Sequence, residues 1–168
     1  MTVKHVEDLF QYGYWANRKL FEVLPQLTVE QFTQPVADNH GSIRNTLVHI
    51  LSAEWGWLER CGGPARGAPL DPAHYPTAAA LIHAWPQQES RMRDFLSTLS
   101  DSDLARPIEF SLGGGPKQSL PLGKLLQHAA NHGVHHRGQV SLLLRLRGYS
   151  PDDFDILFYF DEKQGAQA

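Results

Sequence analysis

Apolar residues recur at the three-and-four spacing of helices in four long runs, which proline and glycine punctuate. The first run extends from about Val3 to Leu27. Leu9, Ala16, Leu20, Val23 and Leu27 form its stripe, Thr2 is placed to cap it, and Pro25 predicts an end or a bend. Thr28 then opens a short helical turn, TVEQF, and 33–41 reads as loop. Ser42 starts the second run, which reaches Arg60. Its stripe of Ile43, Leu47, Ile50 and Leu58 is interrupted by one acid, Glu54, and Gly62, Gly63 and Pro64 stop it. Residues 62–76 carry four prolines and read as a long connection. Thr77 caps a third run that lasts to about Leu99, and Pro86 predicts a kink or a late start there. The stretch 107–120 holds PIEFSL, three glycines and KQSL, which predicts a short hairpin or an extended loop. The fourth run goes from Pro121 to about Arg147, with proline suited to its first turn and Gly148 to its C-cap. The tail SPDDFDILFYF predicts one more short helix, capped by Ser150. The expected fold is all-α: a single four-helix bundle over 1–168, with an extra C-terminal helix and a small hairpin before the fourth long helix.

Composition narrows the partners. The chain has 168 residues, enough for one self-supporting core. A net charge of -3 argues against a general nucleic-acid binder and against an electrostatic membrane anchor. No apolar run approaches the roughly 18–20 residues of a membrane span. The start, MTVKHVEDLFQYGYW, lacks the apolar block of a signal peptide. Cys61 is the only cysteine, which fits a reducing compartment. The expectation is a cytoplasmic protein whose partner is a small molecule, with no nucleic acid and no membrane.

Histidine changes the picture most. The chain has nine, and four of them fall within 128–136. At about 100° per residue, His128, His132, His135, His136 and Gln139 share one helix face about 100° wide. His132 and His136 lie one turn apart, so two imidazoles at that spacing can reach one ion. Without an ion, such a face would suffer mutual repulsion when protonated and would need several hydrogen-bond partners when neutral. A catalytic metal takes three protein ligands and leaves a position open. His49, mid-way along the second run, is the best third ligand. His5, His40, His74 and His83 compete, but they lie near segment ends, in a loop or close to Pro86.

The segments WANRKLFEVLPQL, SIRNTLVHILSAEWGWLERCGG and NHGVHHRGQVSLLLRLRGYSP resemble the DinB family over nearly the whole chain, Leu9 to about Phe160. The most specific piece comprises Asn131, His132, His136, Arg137, Gly138 and Gln139, joined by His49 in its TLVH run. The resemblance implies a four-helix bundle, in a homodimer, with a three-histidine metal site at His49, His132 and His136. His128, His135 and Gln139 are then pocket residues or supports of the ligands. It also implies chemistry with low-molecular-weight thiols, as in relatives that are bacillithiol transferases or mycothiol-dependent isomerases. The glycine-rich 113–115 segment and the long 62–76 connection are local variations.

A three-imidazole site leaves the ion its full positive charge, which lowers the pKa of a thiol or water bound there. Metal-assisted thiol transfer is therefore the favoured reaction, with metal-dependent hydrolysis next. Zinc or nickel suits the donors, and iron or manganese would also fit. The alternative is a metal-holding stress protein without turnover. An enzyme should leave its metal reachable, whereas a structural site should close its shell with His128 or His135. Lesser candidates have plain structural readings: Glu54 as a partner of Arg18 or Arg60, Asp155 as a tail cap, Asn131 as a solvated residue. Trp15, Trp55 and Trp57 read as core or interface, and Cys61 as structural. Arg137, Arg145 and Arg147 suit the end of a helix as well as they suit an anionic substrate.

Overall fold

Side-chain caps start the helices where the pattern placed them. In the computed structural model, which describes residues 1–36, 41–63 and 68–165, the Thr2 hydroxyl accepts from His5 N and opens α1, Val3–Phe21. Thr28 and Gln31 cap each other's backbone around α2, Val29–Thr33. Ser42 accepts from Asn45 N at α3, Ile43–Arg60, and Thr77 accepts from Ala80 N at α4, Ala78–Ser97. Two short strands follow, β1 (Pro107–Phe110) and β2 (Gln118–Pro121). They pair antiparallel with Ile108 opposite Leu120, and Gly113 and Gly114 supply the left-handed backbone of the turn between them. The longest helix, α5, spans Leu122–Leu146, and α6 spans Ile156–Gly165.

Three local expectations are corrected. The first helix ends at Phe21, not near Leu27; Pro25 sits in a separate 3-10 turn, Leu24–Gln26. Pro86 neither delays nor ends α4, which runs on for another eleven residues. Its ring is exposed, so water can meet the carbonyl it leaves unpaired. The tail helix begins at Ile156 and not after Ser150. Asp153 and Asp155 take backbone N–H groups of Asp155 and Leu157 in successive tight turns, while the Ser150 hydroxyl accepts from Arg145.

The core has two apolar clusters, stacked along the bundle. One joins Val6, Phe10 and Tyr14 of α1 to Leu58 at the end of α3, Met92 and Leu96 at the end of α4, and Leu122–Ala129 at the start of α5. The other joins Leu20 of α1 to Ile43–Leu51 at the start of α3, Leu81 and Trp85 at the start of α4, and Val140–Leu144 at the end of α5. Thus α1 and α5 run one way, and α3 and α4 the other. The parallel pair needs the long crossover between Arg60 and Ala78, while β1 and β2 make the return from α4 to α5. The main interface is that of α3 with α5. A third small cluster, Tyr12, Trp15, Ala16 and Tyr159, docks α6 on α1. Among the described residues no helix is long and apolar enough to cross a membrane.

Candidate metal centre

Between the two clusters each long helix offers polar groups. Along α5 these are His132, His136 and Arg137; along α3, His49 and Glu54; along α1, Asn17; along α4, Gln88. They divide into two sets.

The first set is open to one side. His49, on the flank of the α3 apolar stripe, meets His132 with Nε2 atoms 3.0 Å apart, and His132 meets His136 with Nε2 atoms 3.1 Å apart. The donor atoms of these three all lie within 4.8 Å of one another. Two imidazole nitrogens on a tetrahedral zinc, at bonds of about 2.0–2.1 Å, stand roughly 3.3 Å apart, so the spacing suits one ion with little movement. His136 Nδ1 lies 2.7 Å from Gln139 Oε1, and Gln139 Nε2 lies 3.2 Å from His135 Nε2. An amide oxygen can only accept. His136 therefore donates from Nδ1, which leaves its Nε2 lone pair aimed at the other two rings, the tautomer a metal ligand needs. Burial and the neighbouring His136 and His49 push the His132 imidazole down to about 3. These features describe imidazole nitrogens gathered around one point, the donor set that a divalent transition ion takes.

The structure sorts the remaining sequence candidates. His128 stays outside the trio and packs edge-on against Trp57, with ring centres 4.8 Å apart. His135 is exposed and reaches the trio only through Gln139. Among the described residues no fourth histidine, cysteine or carboxylate joins the cluster. His5, His74 and His83 are exposed elsewhere, and His40 lies outside the described residues. Asp155 takes the N–H of Leu157 in the tail. Asn131 is exposed. Arg145 donates to Ser150 and Arg147 to the Gln34 carbonyl. Cys61 is buried, and its thiol is pushed up to about 11 by that burial, which makes it a poor nucleophile.

A cavity of about 330 Å³ opens beside His49 and His132. Ser52, Ala53 and Gly56 floor it, Trp57 and His128 wall it, and Arg60 and Leu112 stand at its rim. Trp57 is held against Phe110 of β1, with ring centres 5.5 Å apart. The sequence pattern gave no reason to single out Arg60 or Leu112. The available signal was the run of small residues between His49 and Arg60 on one face of α3.

The second set lies deeper: Asn17, Gln88 and Arg137 are buried and Glu54 is half-buried. Glu54 is not paired with Arg18 or Arg60; its carboxyl accepts from the Tyr14 hydroxyl at 2.9 Å. Burial raises Glu54 to about 7, against the lowering effects of Tyr14 and Arg137, and the Tyr14 phenol is itself raised well above its usual value. Arg137 is only 3% exposed, and it lies against Gly13 and Gly133. Its NH1 donates to Asn17 Oδ1 at 3.4 Å, while its Nε has no hydrogen-bond partner among the described residues. Gln88, 2% exposed, lies close enough to Glu54 to hold its carboxyl down but makes no well-aligned hydrogen bond.

Known proteins with this sequence pattern and fold agree with one another. Protein DinB of Bacillus subtilis (strain 168) is 27% identical over 165 residues, 94% of this chain and 96% of the relative. The uncharacterized protein YizA of the same organism is 27% identical over 145 residues, 84% of this chain and 87% of its own. The crystal structure of a DinB-like protein from Bacillus cereus ATCC 10987 superposes with a TM-score of 0.73 at 23% identity, covering 90% of this chain and 97% of that one. A conserved protein from Enterococcus faecalis shares the fold at a TM-score of 0.57 and 16% identity, covering 87% and 97% of the two chains. The model of the DinB family matches residues 1–167, and the chain belongs to that family.

Proposed function

We propose that this protein is a metal-dependent enzyme that uses His49, His132 and His136 as ligands and acts on a small molecule, by thiol transfer or by a related hydrolysis. The observation that carries the reading is the convergence of three imidazole Nε2 atoms beside a cavity, with no fourth protein donor among the described residues. A site meant only to hold its ion would close the shell with His128 or His135, and both are engaged elsewhere.

A divalent ion, zinc or nickel by preference, would supply Lewis acidity that lets a thiol lose its proton at neutral pH. The protein's own part is positional. Gln139 fixes the His136 tautomer, and the α3–α5 interface sets the separation of the two ligand-bearing helices. Trp57 and Leu112 screen one side of the cavity from water. In a transfer, the thiol proton passes to solvent, the sulfur–carbon bond forms, and the bond to the leaving group breaks with its electron pair. A second copy of the chain fits the exposed apolar side chains Leu142 and Leu146 of α5 and Leu157, Phe158 and Phe160 of α6, so a homodimer in the cytoplasm completes the proposal.

Elemental analysis of purified protein tests the site, with about one equivalent of metal expected in the wild type and almost none in His136→Ala. Near-zero metal in both would end the reading. The reaction is tested by conjugating a panel of cellular thiols to an electrophile. Metal-loaded protein without a rate above background would favour a non-catalytic metal-holding protein.

A further inference from the structure

The cavity beside the histidines has one pole of fixed charge. Among the described residues, Arg60 is the only one with a fixed charge that lines it, and no carboxylate does. Among the described residues Arg60 makes no ion pair. Its guanidinium is nevertheless held in place: NH1 donates to the Gly56 carbonyl at 2.9 Å, and the group lies over Trp57, 5.3 Å from the ring centre. Trp57 in turn is clamped between Phe110 and His128. One amino nitrogen is thus spent on Gly56, and the remaining N–H groups of the fork are left for another acceptor. An arginine that served only the helix end would need neither the aromatic platform nor a place on the cavity rim.

We propose that Arg60 binds the carboxylate of a small ligand whose sulfur sits at the three-histidine centre. This rests on the thiol reading above and narrows it to anionic thiols. The spacing limits their length. His49 and Arg60 are separated by eleven positions on α3, and the hydrogen bond to Gly56 draws the guanidinium back by one turn. At about 1.5 Å per residue, the guanidinium then stands roughly 10 Å along the axis from the level of His49. A metal–sulfur bond takes about 2.3 Å of that span and an N–H···O contact about 2.9 Å. The ligand is left with roughly 5 Å between sulfur and carboxylate, a chain of a few carbons. Ser52, Ala53 and Gly56 present little side chain along this path, which keeps it open, while Trp57 and Leu112 offer apolar sides to the carbon chain.

The test uses the full-length protein loaded with cobalt(II), whose sulfur-to-metal absorption band reports thiol binding without turnover. The probes are ω-mercaptocarboxylates of two to six methylenes and the mercaptoalcohols of the same lengths. The expected result is an affinity advantage of roughly tenfold or more for the acid at an intermediate length. That advantage should vanish in Arg60→Gln and partly return in Arg60→Lys, with the mercaptoalcohols binding all three proteins alike. Cobalt content and the melting curve check that the variants are folded and loaded; Arg60 is exposed, so both should match the wild type. Equal affinity for acids and alcohols, or an advantage that survives Arg60→Gln, would overturn the role of Arg60 while leaving the thiol reading intact. Absence of the sulfur band with every probe would overturn both.

Discussion

Two polar inclusions occupy the middle of the same bundle, and they solve opposite problems. His49 and His132 border a cavity, and with His136 behind them they bring ring nitrogens within 4.8 Å of one another. Asn17, Gln88 and Arg137, with Tyr14, are sealed inside, and the half-buried Glu54 adds a carboxyl of opposite charge beside them. The open set costs little in the neutral state, since an imidazole is uncharged, His49 and His132 are partly exposed, and the buried His136 is hydrogen-bonded to Gln139. The sealed set keeps a guanidinium out of water, so its members depend on one another. The difference predicts a division of labour: the histidines govern metal and barely affect the fold, while the sealed layer governs the fold and barely affects the metal.

The sharpest way to break that comparison is His136→Ala. Metal content by elemental analysis should fall from about one equivalent to near zero, while the metal-free melting temperature stays within a few degrees of the metal-free wild type. Arg137→Met should do the reverse. Removal of the buried guanidinium leaves Asn17 without its partner and Glu54 without a nearby positive charge, and the cost should be about 1–3 kcal/mol in denaturant titration, with metal stoichiometry kept in the folded fraction. A stable Arg137→Met protein that has lost its metal would erase the distinction. Gln139→Ala should weaken metal binding by roughly 10–100-fold, because His136 loses the acceptor that fixes its tautomer; competition with a chelator measures this.

The smallest effect is also the most diagnostic in sign. Glu54 is held at about 7 when folded, against 4.5 for the ordinary carboxyl. The folded state keeps a proton that the unfolded state has already released. The stability from this group is therefore complete below about pH 4.5 and lost as the pH rises through 7. Glu54→Gln removes that loss, so it should gain about 1–2 kcal/mol over the wild type at pH 8 and little or nothing at pH 5. His132 bends the curve the other way. Lowered to about 3 from 6.5, it costs the metal-free protein stability as the pH falls from about 6.5 towards 3. Melting curves of metal-free wild type and Glu54→Gln across pH 4–8 separate the two contributions.

Much of the open set was legible in the sequence, because its signal is local. His132 and His136 sit one turn apart, and helix periodicity alone puts them on one face. The caps at Thr2, Thr28, Ser42 and Thr77 are likewise read from neighbours in sequence, and each falls where the pattern placed it. The sealed layer was not legible, because its members come one from each helix and their partners are distant: Tyr14 to Glu54, Asn17 to Arg137. Each looks like an ordinary polar interruption of an apolar stripe. Only the fact that all four interruptions fall at one level of the bundle gives the layer away. The same limit hid the rim of the cavity, since Leu112 reaches it from the turn between β1 and β2, a placement that periodicity cannot supply.

The histidines of the open site lie far apart along the chain. The Nε2 atoms of His49 and His132 meet across a sequence separation of 83, and His136 stands at about four-fifths of the chain length. During synthesis on the ribosome, an ion can meet its full set of imidazoles only after α1, α3 and α4 have all emerged. Capture of an ion by all three would therefore be a late event, with those helices already out of the ribosome.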